Sequence, residues 1–222
     1  MIRLEAKQTI AFDGDSLTAL RSEPTLDQWP WLRISNNHRS WSDVFSELLF
    51  AWRPDLQLNF RTAAVGGSTC LDLERRFDAS IAKIRPDWVF MTLGSNDASK
   101  AIPLDHFEST LRCYVEKLAA WGGQLVLLHN IQACVGASEE ARTKEAQRKP
   151  YYQVQARLAN SMSTVQLIDI GTPLKAKSQE LYEQYQGHSI YSDGLHFSHL
   201  GAMIIAGEAL KACGIVVNQA AQ

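Results

Sequence analysis

Five short apolar runs, each closed by small or polar residues, alternate along the chain with stretches whose apolar residues recur every three or four positions. No other feature narrows the architecture as far. The runs are Thr9 to Phe12, Leu56 to Phe60, Trp88 to Leu93, Gln124 to Leu128 and Val165 to Ile170; their length and β-rich content predict buried strands. The clearest helical stretch, Pro103 to Trp121, repeats Leu104, Phe107, Leu111, Val115 and Leu118, with Pro103 suited to a first turn and Gly122-Gly123 to a stop. A second helix is predicted after Thr69, burying Leu73, Phe77, Ile81 and Ile84 on one stripe. Another starts near Trp41, and a last one runs from Ser198 as N-cap through Leu200, Met203, Ile204 and Leu210 to Gly214. Ala137 to Lys149 is small and charged and reads as a solvated helix, available to a lid. Strands alternating with helices imply an α/β fold with a mainly parallel sheet covered on both faces, and function then sits at the carboxyl ends of the strands.

The 222 residues, 45% of them hydrophobic, suffice for one substantial core, and no linker divides them, so residues 1–222 read as a single domain. The 22 basic and 24 acidic residues leave a net charge of −2 with no basic block to track a phosphate backbone, which argues against nucleic acid as a partner. Met1 to Lys7 lacks the apolar core of a signal peptide, and no apolar run approaches bilayer-spanning length. A cytoplasmic protein without stable membrane insertion is expected. Cys70, Cys113, Cys134 and Cys213 show neither a Cys-x-x-Cys pair nor a disulfide-dense pattern; they read as reduced, Cys70 as a core residue.

The predicted strand ends collect chemistry. Ser16 follows the first strand, Gly66-Gly67 the second and Asn96 the third, while Asp193 to His196 precedes the final helix, which can carry it back to the same edge. A serine hydroxyl is a weak nucleophile until an imidazole takes its proton, and the imidazole needs a third group to fix its tautomer. Ser16, His196 and Asp193 could fill those roles. Ester hydrolysis also passes through a tetrahedral oxyanion, for which Gly67 offers an unobstructed backbone N–H, Asn96 a neutral amide and Ser16 its own N–H.

Taken singly, each residue has a plainer reading. Gly14 to Leu17 makes a capped turn, Gly94 to Asp97 another turn, and His196 a surface or capping residue. Gly66 to Thr69 could cradle a phosphate, but it lacks the Lys-Ser/Thr ending of a P-loop. Their joint occurrence in this order outweighs those readings. His129, ending the fourth strand, is a second candidate base, though no carboxylate stands near it in sequence. Asp169 ends the fifth strand and reads as structural, because the chain has no Gly-x-Ser-x-Gly elbow. Asp193, His196 and His199 are chemically suited to a metal, but such spacing arises readily by chance and His199 falls in the first turn of the last helix. No metal and no cofactor are expected. Trp29, Pro30, Trp31 and Trp41 suit either a pocket wall or a cover over the core edge.

These blocks resemble the SGNH hydrolases, the GDSL esterase/lipase family. Phe12-Asp13-Gly14-Asp15-Ser16-Leu17-Thr18, Ala64-Val65-Gly66-Gly67-Ser68-Thr69, Gly94-Ser95-Asn96-Asp97 and Asp193-Gly194-Leu195-His196 match its four blocks over nearly the whole chain. The resemblance implies Ser16 as nucleophile, His196 as general base and acid, Asp193 as orienting carboxylate, and an oxyanion hole from Ser16, Gly67 and Asn96. It also implies a flavodoxin-like three-layer α/β/α sandwich on a five-stranded parallel sheet. Block two departs from the pattern, with Thr62 and Ala64 where the family has an asparagine and an earlier glycine; Gly67 is taken as the donor from its Gly-x-Thr spacing to Thr69. The expected activity is serine carboxylic-ester hydrolysis of small, soluble, short-acyl esters, O-acetylated carbohydrates among them. A lysophospholipase or thioesterase of the same family, or a non-catalytic flavodoxin-like binding module, is the alternative.

Overall fold

The computed structural model describes residues 2–19, 40–129, 139–185, 190 and 196–215. Among them are five strands, β1 (Thr9–Gly14), β2 (Asn59–Thr62), β3 (Trp88–Thr92), β4 (Gln124–His129) and β5 (Val165–Asp169), all parallel in the order β2-β1-β3-β4-β5. Parallel pairing forces each connection to cross over the sheet, and the crossovers carry the helices. These are α1 (Trp41–Trp52), α2 (Cys70–Arg76), α3 (Ile81–Ile84), α4 (Ser95–Ser99), α5 (Leu104–Ala119), α6 (Glu139–Ser161), α7 (Gly171–Tyr185) and α8 (His199–Ala212).

Strand residues alternate between two cores, as a period of two requires. Ile10, Phe12, Trp88, Phe90, Val126 and Leu128 face α1, α7 and α8, while Ala11, Val89, Met91, Leu125 and Leu127 face α2, α3, α5 and α6. The result is the expected three-layer α/β/α sandwich. Trp41 lies in the first core, its ring edge-on to Phe12 at 5.5 Å, so it covers the core rather than walling a pocket. Trp29, Pro30 and Trp31 fall outside the described residues.

Three elements differ from expectation. The second strand begins at Asn59, not Leu56, because Pro54–Leu56 forms a 3-10 turn that buries Leu56 and Gln57 follows with φ +48°. The helix after Thr69 is broken into α2 and α3: Ala82 N–H donates to Phe77 C=O five residues back, inserting an extra residue that still lets Phe77 and Ile81 reach the core. The solvated helix continues through Pro150 to Ser161, where Val154 and Leu158 are fully buried. Among the described residues no helix is long and apolar enough to cross a membrane.

Candidate active site

The turn after β1 is set by a backbone that only glycine tolerates. Gly14 has φ +112°, and a Cβ there would lie 2.0 Å from the Thr92 carbonyl oxygen on the neighbouring β3. Asp15 N–H then donates to that same oxygen at 3.2 Å, and Thr18 N–H and Ala19 N–H fold back onto Asp15 C=O, leaving Ser16 on the first turn beyond the strand. The Asp15 carboxylate points inward, where its Oδ1 accepts from Leu17 N–H at 3.0 Å and from Thr92 Oγ1 at 2.9 Å. Thr18 Oγ1 lies 2.6 Å from Thr92 Oγ1 and accepts from Thr92 N–H at 3.2 Å. Burial pushes the Asp15 carboxyl from its ordinary 3.8 up to about 6, with Asp97 adding to the rise and the two hydrogen bonds and Arg148 opposing it.

His196 arrives from the far end of the chain. Its Nε2 stands 2.9 Å from Ser16 Oγ, across 180 residues of sequence. With its proton on Nδ1, the ring accepts the serine O–H at Nε2, the orientation that general-base catalysis needs. Ser198 fixes the segment that follows His196: its N–H donates to Ile190 C=O at 2.8 Å, and its Oγ caps α8 by accepting from Gly201 N–H at 3.3 Å. Asp193, the expected orienting carboxylate, lies outside the described residues.

The glycine loop lies against Ser16. A Cβ on Gly66 would stand 3.7 Å from Ser16 Cβ, and Gly67, with φ +77°, has its carbonyl held by Lys100 Nζ at 3.2 Å. Asn96, on the single-turn α4, donates from Nδ2 to Ser68 C=O at 3.0 Å. The backbone N–H groups of Ser16 and Gly67 donate to no acceptor among the described residues, which leaves them available to a substrate oxygen. Next to Asn96, Asp97 accepts from Cys70 N–H at 2.8 Å and so ties α4 to the start of α2. Burial raises the Asp97 carboxyl; burial and then Asp97 raise the Cys70 thiol, which makes Cys70 an inert packing residue.

The other candidates sort by contact. His129 is buried at the end of β4, its ring 5.2 Å from that of Tyr152, and burial lowers its pKa while Asp169 opposes the shift. The fold does bring a carboxylate opposite it, since His129 pairs with Asp169 in register. Asp169, however, caps α7 by accepting from Gly171 N–H at 2.9 Å and from Thr172 N–H at 3.1 Å and Oγ1 at 2.6 Å. His196 is therefore the imidazole on Ser16. His199 opens α8, and no cluster of three potential ligands for a metal occurs among the described residues.

Sequence reasoning missed the layer beneath. Arg76 on α2 pairs with the fully buried Asp13 and donates to Ser68 Oγ at 2.7 Å and to Gly14 C=O at 3.1 Å, while Asp13 also accepts from Gly14 N–H and Tyr114 O–H, each at 2.8 Å. The available signal was Asp13 itself, a charge inside an apolar strand, where only paired charges survive burial.

A parallel α/β sheet that sets a serine hydroxyl on an imidazole, beside unpaired backbone donors, has the layout of an acyl-transfer hydrolase. The model of the GDSL-like lipase/acylhydrolase family matches residues 12–204, and the chain belongs to that family: it is an ester-hydrolysing enzyme. An acetylxylan esterase from Geobacillus stearothermophilus is 32% identical over 78 residues, 31% of this chain and 36% of that protein, so the match spans about a third of the relative. A variant of an acetyl xylan esterase from the same organism shares the fold with a TM-score of 0.74 at 21% identity, covering 99% of this chain and 100% of that one. An alpha/beta hydrolase enzyme from the metagenome of Lake Arreo, Spain, gives 0.73 at 21% identity, covering 96% and 97%.

Proposed function

We propose that the protein hydrolyses small, soluble, short-acyl esters through an acyl-enzyme, with O-acetyl groups on carbohydrates as the leading substrate class. The observation that carries this reading is the 2.9 Å contact between Ser16 Oγ and His196 Nε2. Ser16 Oγ attacks the carbonyl carbon as Nε2 takes its proton; the tetrahedral oxyanion is met by Ser16 N–H, Gly67 N–H and the Asn96 amide. Collapse expels the alcohol, which takes the proton back from Nε2. Water then repeats the sequence on the acyl-serine and releases the acid. Asp193 orients Nδ1–H in this scheme, and no step calls for a metal or a cofactor. The acetylated-sugar assignment draws on the relatives' activity as acetylxylan esterases.

A panel of p-nitrophenyl esters of graded acyl length, run beside acetylated xylooligosaccharides, tests the reading. Acetate esters should turn over fastest, Ser16→Ala should abolish turnover with the fold intact, and Asn96→Ala should lower kcat on the order of 10²-fold through loss of one oxyanion donor. A fluorophosphonate probe should label Ser16. Undiminished hydrolysis by Ser16→Ala would refute the mechanism, and preference for long acyl chains would refute the substrate class.

A further inference from the structure

We propose that Arg76 is a positioning residue that sets the geometry of the oxyanion hole by fastening the nucleophile turn to the glycine loop; this rests on the acyl-transfer reading above. One guanidinium reaches both sides of the site. Its Nη2 pairs with Asp13 and donates to Gly14 C=O at 3.1 Å, in the turn that carries Ser16. Its Nη1 donates to Ser68 Oγ at 2.7 Å, in the loop that carries Gly67. Ser68 passes the connection on twice, donating from Oγ to Val65 C=O at 2.7 Å and accepting the Asn96 amide on its own C=O at 3.0 Å. The backbone adds one more tie, Val65 N–H to Gly14 C=O at 3.2 Å. The turn that carries Ser16 and the loop that carries Gly67 thus meet on one cation, and Asn96 on α4 joins them through Ser68 C=O.

That cation runs from α2 to a buried anchor in β1. Asp13 is fully buried in the sheet, and all its contacts point the same way: Gly14 N–H and Arg76 on Oδ1, and Tyr114 O–H from α5 on Oδ2. Burial, followed by the Asp13 charge, holds the Tyr114 hydroxyl well above its ordinary pKa, so it remains a donor. A buried carboxylate with a bound guanidinium and a phenol costs desolvation energy, and apolar packing would stabilise the sheet as well. What the ion pair supplies and apolar packing does not is a directional fork of donors, fixed at its base and free to span two loops. A lysine would keep the charge on Asp13 but could not bridge Ser68 and Gly14 together.

The test is a double-mutant cycle on kcat with p-nitrophenyl acetate, using Arg76→Lys, Asn96→Ala and the pair, with Ser68→Ala as a second route that leaves the Asp13 ion pair in place. Arg76→Lys and Ser68→Ala should each lower kcat at least ~10-fold with KM nearly unchanged, because a misaligned donor acts in the transition state. The losses should be less than multiplicative with Asn96→Ala, since a hole already deprived of Asn96 has less alignment to lose. Methylguanidinium should restore part of the kcat of Arg76→Ala. Multiplicative losses, or parent-like kcat in both Arg76→Lys and Ser68→Ala, would overturn the inference. Ser16→Ala separates the two ideas: if it is inactive while Arg76→Lys and Ser68→Ala both behave as the parent, only the positioning role falls.

Discussion

At the residue scale, the site places its chemistry beside a carboxyl that titrates far from its ordinary range. Asp15 is buried directly before Ser16, and its folded pKa of about 6 lies above its ordinary 3.8. The sign follows from linkage: a raised folded pKa adds stability that is fully present below about pH 4 and is lost as the pH rises through about 6, because the folded state then must hold a buried charge. The difference of roughly 2 units corresponds to about 3 kcal/mol. Asp15→Asn keeps an oxygen for Leu17 N–H and Thr92 Oγ1 but cannot ionise. Urea midpoints measured across that range should therefore fall for the parent relative to Asp15→Asn as the pH is raised, and parallel profiles would remove the assignment. Asp97, which raises the Asp15 pKa, and Arg148, which lowers it, act on a charge that only the parent can carry, so their effects are part of the difference that the comparison reads.

At the element scale, helix ends decide where reactive groups stand. Ser198 both caps α8 and, through its N–H, ties the segment after His196 to Ile190. Ser198→Ala keeps the backbone tie and removes the cap, so it should cost about 1 kcal/mol, read as a lower urea midpoint with an unchanged slope. A cost near zero would mean that α8 is positioned by its apolar face alone. Sequence patterns located this cap because a serine directly before an apolar-periodic run is a local signal. They misplaced the start of β2 because an edge strand has little need of apolar residues, so Leu56 and Leu58 drew the boundary toward the buried 3-10 turn. They ended the solvated helix at Lys149 because the small and charged composition ends there, yet Tyr151, Val154 and Leu158 gain enough by burial to carry α6 onward through Pro150.

At the scale of the whole molecule, the parallel sheet was legible because every interior strand is buried on both faces and must read as a short apolar run. The Ser16 and His196 pairing was legible from the strand ends and the family's block order as a shared edge, but not as a contact, since nothing in a sequence separation of 180 measures a distance of 2.9 Å. Of the Asp13, Arg76 and Tyr114 cluster, only Asp13 left a sequence signal: its partners come from α2 and α5, and side-chain pairings of that kind leave no periodic trace.

The strand order has one further consequence, in time rather than space. β1 lies between β2 and β3, and every neighbouring pair is parallel, so no local hairpin can nucleate the sheet and each strand must wait for its crossover. Helices such as α5 form early, whereas the imidazole joins the serine only when α8 docks beside α1. After dilution from denaturant, helical circular dichroism should recover ahead of fluorophosphonate labelling at Ser16, and coincident recovery would contradict this order. On the proposed mechanism, the same order keeps a growing chain chemically silent toward esters until α8 has emerged and docked.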